Sequence, residues 1–400
     1  MKLTLPPDMI TATKLTREGK LSEATALLMR MCKGQAEAQA TSPSPAKKAR
    51  GKSAIDKLQA TDAEVSDEPS KLRAFIAKFQ PNGVTLAAAG IETTALKSKP
   101  PVATPSGSKF ISAVHSGEAG SRNYKLFVPR AYSGQKLPLV VMLHGCTQSP
   151  DDFAAGTGMN VLAEEQPCFV AYPAQSQSAN AGKCWNWFLT ADQQRGKGEP
   201  ALIAGIARDI MSNYAIDAQR VYVAGLSAGG AAAAVLGETY PDIFAAVGVH
   251  SGLACGAASD LGSAMSVMRS GKAGTPPPRR SSDLRATQSH IPTIVFHGDK
   301  DQTVHPKNGD QVVNQLLGED YEKRLRAVSD RGETGGQSFS RTCYFDRNDQ
   351  SVLELWVVHG AGHAWSGGSR EGSYADPRGP DASREMLRFF LSHARVVKPN

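Results

Sequence analysis

The 400-residue chain changes texture near residue 107. Beyond that point short apolar runs alternate with stretches in which apolar residues recur every three or four positions. The runs YKLFVP (124–129), LPLVVMLHG (137–145), CFVAYP (168–173), RVYVAG (220–225), AAVGVHSG (245–252), PTIVFHG (292–298) and LELWVVHG (353–360) predict strands. Most are apolar without interruption, as expected of a strand covered on both faces. Between them ALIAGIARDIMSNY (201–214), AGGAAAAVLGETY (228–240), KNGDQVVNQLLG (307–318) and PDASREMLRFFLSHA (380–394) predict helices. In the last, Pro380 falls in the first turn, and Asp381 and Glu385 sit near the helix N-terminus, where negative charge is favoured. Strand–helix alternation of this kind predicts a mainly parallel sheet with helices on both faces.

The first 106 residues read differently. Within 1–34, Ile10, Leu15, Leu21, Ala24, Leu27, Leu28 and Met31 mark one apolar face, on a helix or on two short helices broken at Gly19. No second copy follows, so a helical repeat array is excluded. Residues 35–106 are rich in Ala, Ser, Lys, Pro and Thr, the composition of a disordered linker, with KLRAFIAKF (71–79) as a short helical patch inside it. The expected organisation is a helical segment at 1–34, a linker at 35–106 and one large domain at 107–400. The apolar stripe of the helices suits docking on the chain's own domain, self-association or contact with a granule surface.

Composition removes several alternatives. A hydrophobic content of 40% and a charged content of 21% are ordinary for a soluble globular protein. No run of about 18 apolar residues occurs, so no membrane span is expected. The N-terminus lacks an apolar core followed by a small-residue cleavage site, which predicts a cytoplasmic location. The net charge of +7 resides mostly in residues 1–106, where 16 Lys and Arg face 10 Asp and Glu. Only Phe75 and Phe79 lie among those cations and the basic clusters are short, so no nucleic-acid partner is expected. Cys32, Cys146, Cys168, Cys184, Cys255 and Cys343 lack the close paired spacing of a zinc site, and no metal or cofactor is expected. In a reducing compartment they are expected as free thiols, with Cys168 buried in a strand.

The chemistry concentrates in RVYVAGLSAGGA (220–231). Gly225-Leu-Ser227-Ala-Gly229 is a G-x-S-x-G pattern directly after a strand and directly before an alanine-rich helix. A serine on such a strand-to-helix turn is held clear of the sheet, and its glycine neighbours leave room for the adjoining strand and helix. The helix N-terminus beside it favours a developing anion. A serine hydroxyl is inert until a base takes its proton and an acid orients that base. PTIVF runs into His297-Gly-Asp299-Lys-Asp301, and LELWVV runs into His359-Gly-Ala-Gly-His363, so both loops follow strands later in the chain. Asp301, further from its strand end, is preferred to Asp299 as the acid. His363, beyond a Gly-Ala-Gly, is preferred to His359 as the base. An oxyanion hole needs two N–H donors, expected from Ala228 and from Cys146 in the loop after LVVMLHG. His144 precedes the serine and is expected to be structural. Trp185 and Trp365 are candidate substrate contacts, whereas Trp187 and Trp356 are expected in the core. The polar, proline-rich stretch 257–289 fits either a lid or a long surface loop.

LHGCTQSPDDFAAGTGMNVLAE, AYPAQ, CWNWF, YVAGLSAGGA, VHSGL, FHGDKDQTV and GAGHAWSGG, in this order, resemble the polyhydroxybutyrate depolymerase family of esterases, itself related to feruloyl and acetylxylan esterases. The resemblance spans about residues 107–397. It implies an α/β-hydrolase fold and hydrolysis of carboxylic esters, with short-chain 3-hydroxyalkanoates as substrates. Its nucleophile, acid and histidine fall on Ser227, Asp301 and His363, and its oxyanion donor on Cys146. Many members are secreted, and those relatives suggest a bridge from the oxyanion loop, Cys146 to Cys184. Two other classes are compatible with the chain: a non-catalytic binding protein on the same fold, and a granule scaffold whose esterase activity is incidental.

Overall fold

A computed structural model describes residues 105–271, 291–322 and 324–395. The helical segment at 1–34 and the linker at 35–106, apart from its last two residues, lie outside the described residues.

Strands β1 (Lys109–Gly117), β2 (Gly120–Val128), β3 (Leu137–Leu143), β4 (Phe169–Pro173), β5 (Ile216–Leu226), β6 (Ala246–His250), β7 (Thr293–Gly298), β8 (Arg326–Thr334), β9 (Gln337–Phe345) and β10 (Ser351–Val358) form one sheet. Its spatial order is β1-β2-β4-β3-β5-β6-β7-β10-β9-β8. The six strands from β4 to β10 in that order pair in parallel. Antiparallel ribbons flank them, β1 and β2 on one side and β9 and β8 on the other. Two short strands, β11 (Trp365–Ser366) and β12 (Ala375–Asp376), pair separately.

The uninterrupted apolar runs are the parallel centre, because helices cover both of its faces. In β3 all seven residues are buried. Leu139, Val141 and Leu143 enter one apolar cluster, while Val140 and Met142 enter the other. The first cluster lies under α3 (Gly198–Asn213), α4 (Ala228–Thr239), α5 (Leu261–Ser270) and α6 (Lys307–Glu322). The second lies under α1 (Pro150–Thr157), α2 (Met159–Glu165) and α7 (Ala382–Leu391). Each fully buried Leu, Val or Phe contributes about 1.5–3 kcal/mol of transfer free energy, and both faces draw on it. Helix α7 begins two residues later than the pattern predicts, at Ala382. Asp381 is its N-cap, accepting from the Arg384 N–H at 2.9 Å, and Pro380 precedes the cap.

Register brings the carboxyl ends of the parallel strands level. Leu143 pairs with Gly225, Leu226 with His250, His250 with Phe296, and His297 with Val357. The loops that follow β3, β5, β7 and β10 therefore open on one edge of the sheet. In open α/β sheets that edge is where ligands bind.

Candidate active site

Ser227 sits between β5 and α4 at φ 58°, ψ −119°, a conformation that a side-chain-bearing residue rarely adopts. Its N–H donates to the His250 carbonyl at 2.9 Å, and its own carbonyl accepts from Ala231, so the turn is tied at both ends. The flanking glycines are required sterically. A Cβ on Gly225 would lie 2.7 Å from the Leu143 carbonyl oxygen, and one on Gly229 would lie 2.7 Å from that of His144. Both obstacles are backbone and cannot rotate away. Ala228 opens α4, so its N–H has no intrahelical acceptor. The Cys146 N–H, across the cleft on the loop after β3, donates no hydrogen bond to any described residue. Cys146 and Ser227 line one small cleft together with Gly145, Leu226, His363 and Tyr374.

Asp301 follows β7 and is buried. One of its oxygens accepts from the N–H groups of Thr303 and Val304 at 2.9 and 2.8 Å. The other lies 2.7 Å from Nδ1 of His363 and 3.5 Å from Nε2 of His297. Burial alone would raise its pKa. The charge of His363 and hydrogen bonds from His297 and His363 outweigh burial and hold the carboxyl well below its ordinary value. An ionised carboxylate on Nδ1 of His363 fixes the ring with Nε2 free to accept a proton.

Asp299 is committed elsewhere. It lies 3.1 Å from Nδ1 of His359 and accepts from the Gly360 N–H at 2.7 Å, while Nε2 of His359 meets the Ser340 hydroxyl at 2.8 Å. This array pins the start of the loop that carries His363. His144 is enclosed, with Nδ1 donating to the Gly145 carbonyl and Nε2 accepting from the Gln175 N–H. Burial lowers its pKa to about 4. His250, under the Ser227 turn, is lowered to about 3 by burial first and then by His297 and His363.

Three sequence expectations need correction. Trp185 and Trp365 do not face the cleft. Both are fully buried, with their indole N–H groups donating to the His144 carbonyl and to the Ser383 hydroxyl, each at 3.0 Å. Trp187 is in the core as expected, and with Cys184, Phe188, Leu253, Leu261, Ala264 and Met268 it walls a small apolar cleft beside Ser227. Cys146 and Cys184 are not free thiols but a disulfide in that wall. Their Cα atoms are only 4.2 Å apart, because the segment 182–186 is hydrogen-bonded against the loop after β3. The stretch 257–289, expected as a lid or loop, contains α5, capped by Asp260 accepting from the Ser263 N–H. Residues 272–289 of that stretch lie outside the described residues. Tyr374 had no signal in the sequence, since it occupies a polar turn outside the motifs.

The family model described as Esterase PHB depolymerase matches residues 122–334. Poly(3-hydroxyalkanoate) depolymerase C of Paucimonas lemoignei is 36% identical over 232 residues, 56% of this chain and 54% of its own length. Feruloyl esterase B of Neurospora crassa is 27% identical over 268 residues, 64% of this chain and 83% of its own. The chain thus spans about half the length of the curated depolymerases it matches. Among solved structures, an acetyl xylan esterase from Aspergillus awamori superposes with a TM-score of 0.55 at 20% identity, over 71% of this chain and 99% of that one. It shares the α/β-hydrolase fold.

Proposed function

The chain belongs to the Esterase PHB depolymerase family, and from that premise we propose that it is a serine-dependent carboxylic-ester hydrolase acting on short-chain 3-hydroxyalkanoate esters. The observation that carries this reading is the convergence on one cleft of a strained Ser227, the Asp301–His363 pair at 2.7 Å and two unengaged N–H groups at Cys146 and Ala228.

In this mechanism Nε2 of His363 takes the Ser227 proton as Oγ attacks the ester carbonyl. The carbonyl oxygen becomes an oxyanion facing the Cys146 and Ala228 N–H groups. The C–O bond to the leaving group breaks, the imidazolium protonates the departing alkoxide, and an acyl-enzyme remains on Ser227. Water, deprotonated by His363, then releases the acid. Asp301 stays ionised throughout and stabilises the imidazolium. Preorganised donors aimed at the oxyanion contribute about 3–4 kcal/mol each to such a step.

The apolar cavity beside Ser227 supports a small acyl group bearing a methyl branch. Its walls are Trp187, Phe188, Leu253, Met268 and the disulfide, which carry few hydrogen-bonding groups for a sugar. The second reading is a feruloyl-type esterase, favoured by the aromatic pair Trp187 and Phe188 in the same wall. Hydrolysis of 3-hydroxybutyrate dimers and trimers and of methyl ferulate by one preparation decides between them. The expected kcat/KM is at least about tenfold higher for the hydroxybutyrate esters, or about 1.4 kcal/mol of transition-state stabilisation. A preference for ferulate moves the substrate to the second reading. Ser227→Ala should lower kcat by about 10⁴-fold or more, and a variant that keeps a tenth of the activity removes Ser227 from the mechanism.

A further inference from the structure

Behind the oxyanion loop lies a buried polar cluster that the mechanism above does not use. Its centre is Glu199, the second residue of α3, which is 6% exposed. Three N–H groups converge on its carboxylate. The Asn186 backbone donates to one oxygen at 2.7 Å, and the Asn186 amide (2.8 Å) and the Gln175 amide donate to the other.

Neither amide can turn round to offer an oxygen instead. The Gln175 oxygen accepts from Arg122 at 2.5 Å and from the Ser176 N–H at 3.1 Å. The Asn186 oxygen accepts from the Asn180 amide at 2.8 Å. The Asn180 oxygen in turn accepts from the N–H groups of Gly182 and Cys184. A carboxylate satisfies all three donors, whereas a carboxylic acid would point its own hydrogen at one of them. The donor set therefore favours the ionised form.

The two segments that Glu199 holds are the ones that grip the oxyanion loop. The Gln175 N–H donates to His144, the Trp185 indole donates to the His144 carbonyl, Thr147 donates to the Gly182 carbonyl at 2.7 Å, and Cys184 is bonded to Cys146. We propose that Glu199 is a positioning residue for the oxyanion hole: its carboxylate locks residues 175 and 182–186, and through them sets the aim of the Cys146 N–H. The inference rests on the esterase reading of the site.

Burial makes ionisation costly here. The charged groups facing Glu199 are Asp192, whose carboxylate accepts from the Glu199 N–H at 2.7 Å, and Arg122. His144, reached through Gln175, is neutral. Burial first, and Asp192 second, push the Glu199 pKa up to about 7, against hydrogen bonds from Asn186 and Gln175 and the charge of Arg122. The lock therefore engages as pH rises through neutrality and releases as pH falls.

The test compares wild type with Glu199→Gln on p-nitrophenyl butyrate from pH 5 to 9, with Ser227→Ala as the blank. The variant cannot ionise. Its kcat should be about tenfold below wild type at pH 9, a fraction of what loss of an oxyanion donor costs. The two should converge near pH 5, and KM should stay within about twofold throughout. A wild-type-to-variant ratio that does not change with pH overturns the proposal, as does a loss confined to KM. If Glu199→Gln does not fold, Asp192→Asn serves. It leaves Glu199 in place, removes the adjacent negative charge and should move the acid limb of kcat to lower pH; a limb that stays where it was overturns the proposal. If wild type hydrolyses the ester no faster than Ser227→Ala, the esterase reading itself fails and this inference falls with it.

Discussion

Asp301 and Asp299 lie two residues apart on one loop, yet their surroundings give them different work. Asp301 is sealed, accepts two backbone N–H groups and meets His363, whereas Asp299 is partly exposed and binds His359 and the Gly360 N–H. Asp301→Asn puts an amide against Nδ1 of His363 and stabilises the wrong ring tautomer. The expected cost is at least about 10³-fold in kcat. Asp299→Asn loosens the start of the His363 loop without touching the imidazole, and its cost should be far smaller. Steady-state kinetics on one ester checks both, and reversed magnitudes would move the acid role to Asp299. The sequence pointed to Asp301 by its position on the loop and by the family resemblance. It could not point to Tyr374 or choose correctly among the tryptophans. Which face of a short aromatic run looks inward depends on the hydrogen bond each indole finds, and the partners of Trp185 and Trp365 are 41 and 18 residues away.

At the scale of elements, α4 lies close enough to β3 that only glycine fits at position 229, the second residue of the helix. In an exposed helix, Gly→Ala stabilises by about 1 kcal/mol. Here the added Cβ meets the backbone of Leu143 and His144, so Gly229→Ala should destabilise by about 1–3 kcal/mol instead. It should also lower kcat, because the helix cannot shift without moving the Ala228 N–H. Denaturant unfolding beside kinetics reads both effects, and a stabilised, fully active variant would refute the steric account. The same tight packing explains which elements were legible. All seven strands read from the sequence are the parallel centre and its neighbour β2, where burial on both faces leaves an unbroken apolar run. The missed strands β1, β8 and β9 belong to the flanking ribbons. Strand β8, RAVSDRGET, is almost wholly exposed along Arg326–Thr334 and carries no such signal. Helices α1 and α2 are only eight and seven residues long, too short for a period to show, and α5 lies in a polar, proline-rich stretch that masked it.

For the molecule as a whole, buried titratable groups set how stability follows pH. His144 and His250 have folded pKa values of about 4 and 3, below the unfolded value near 6.5. Each therefore binds a proton on unfolding, and its contribution is complete above about pH 6.5 and lost as pH falls. Glu199, raised to about 7, works in the opposite sense, since the folded state holds its proton where the unfolded state does not. Between about pH 4.5 and 6.5 the unfolded chain gains two protons on the histidines and gives up one from Glu199. The uptake by the histidines exceeds the release from Glu199, and His393, whose pKa burial also lowers, adds in the same direction, so these groups make stability rise with pH in that window. Calorimetry across pH 4.5–6.5 should show Tm climbing, and a flat or falling Tm would mean that the two imidazoles are not held neutral.

The strand ends that carry Ser227, Asp301 and His363 share one edge of the sheet, and the turns on the other edge take no part in the chemistry. Two of these, Ser133–Gln135 between β2 and β3 and Arg347–Gln350 between β9 and β10, are exposed. Anchored to a bead or film through either turn, the molecule would stand with its cleft facing outward, open to the solution.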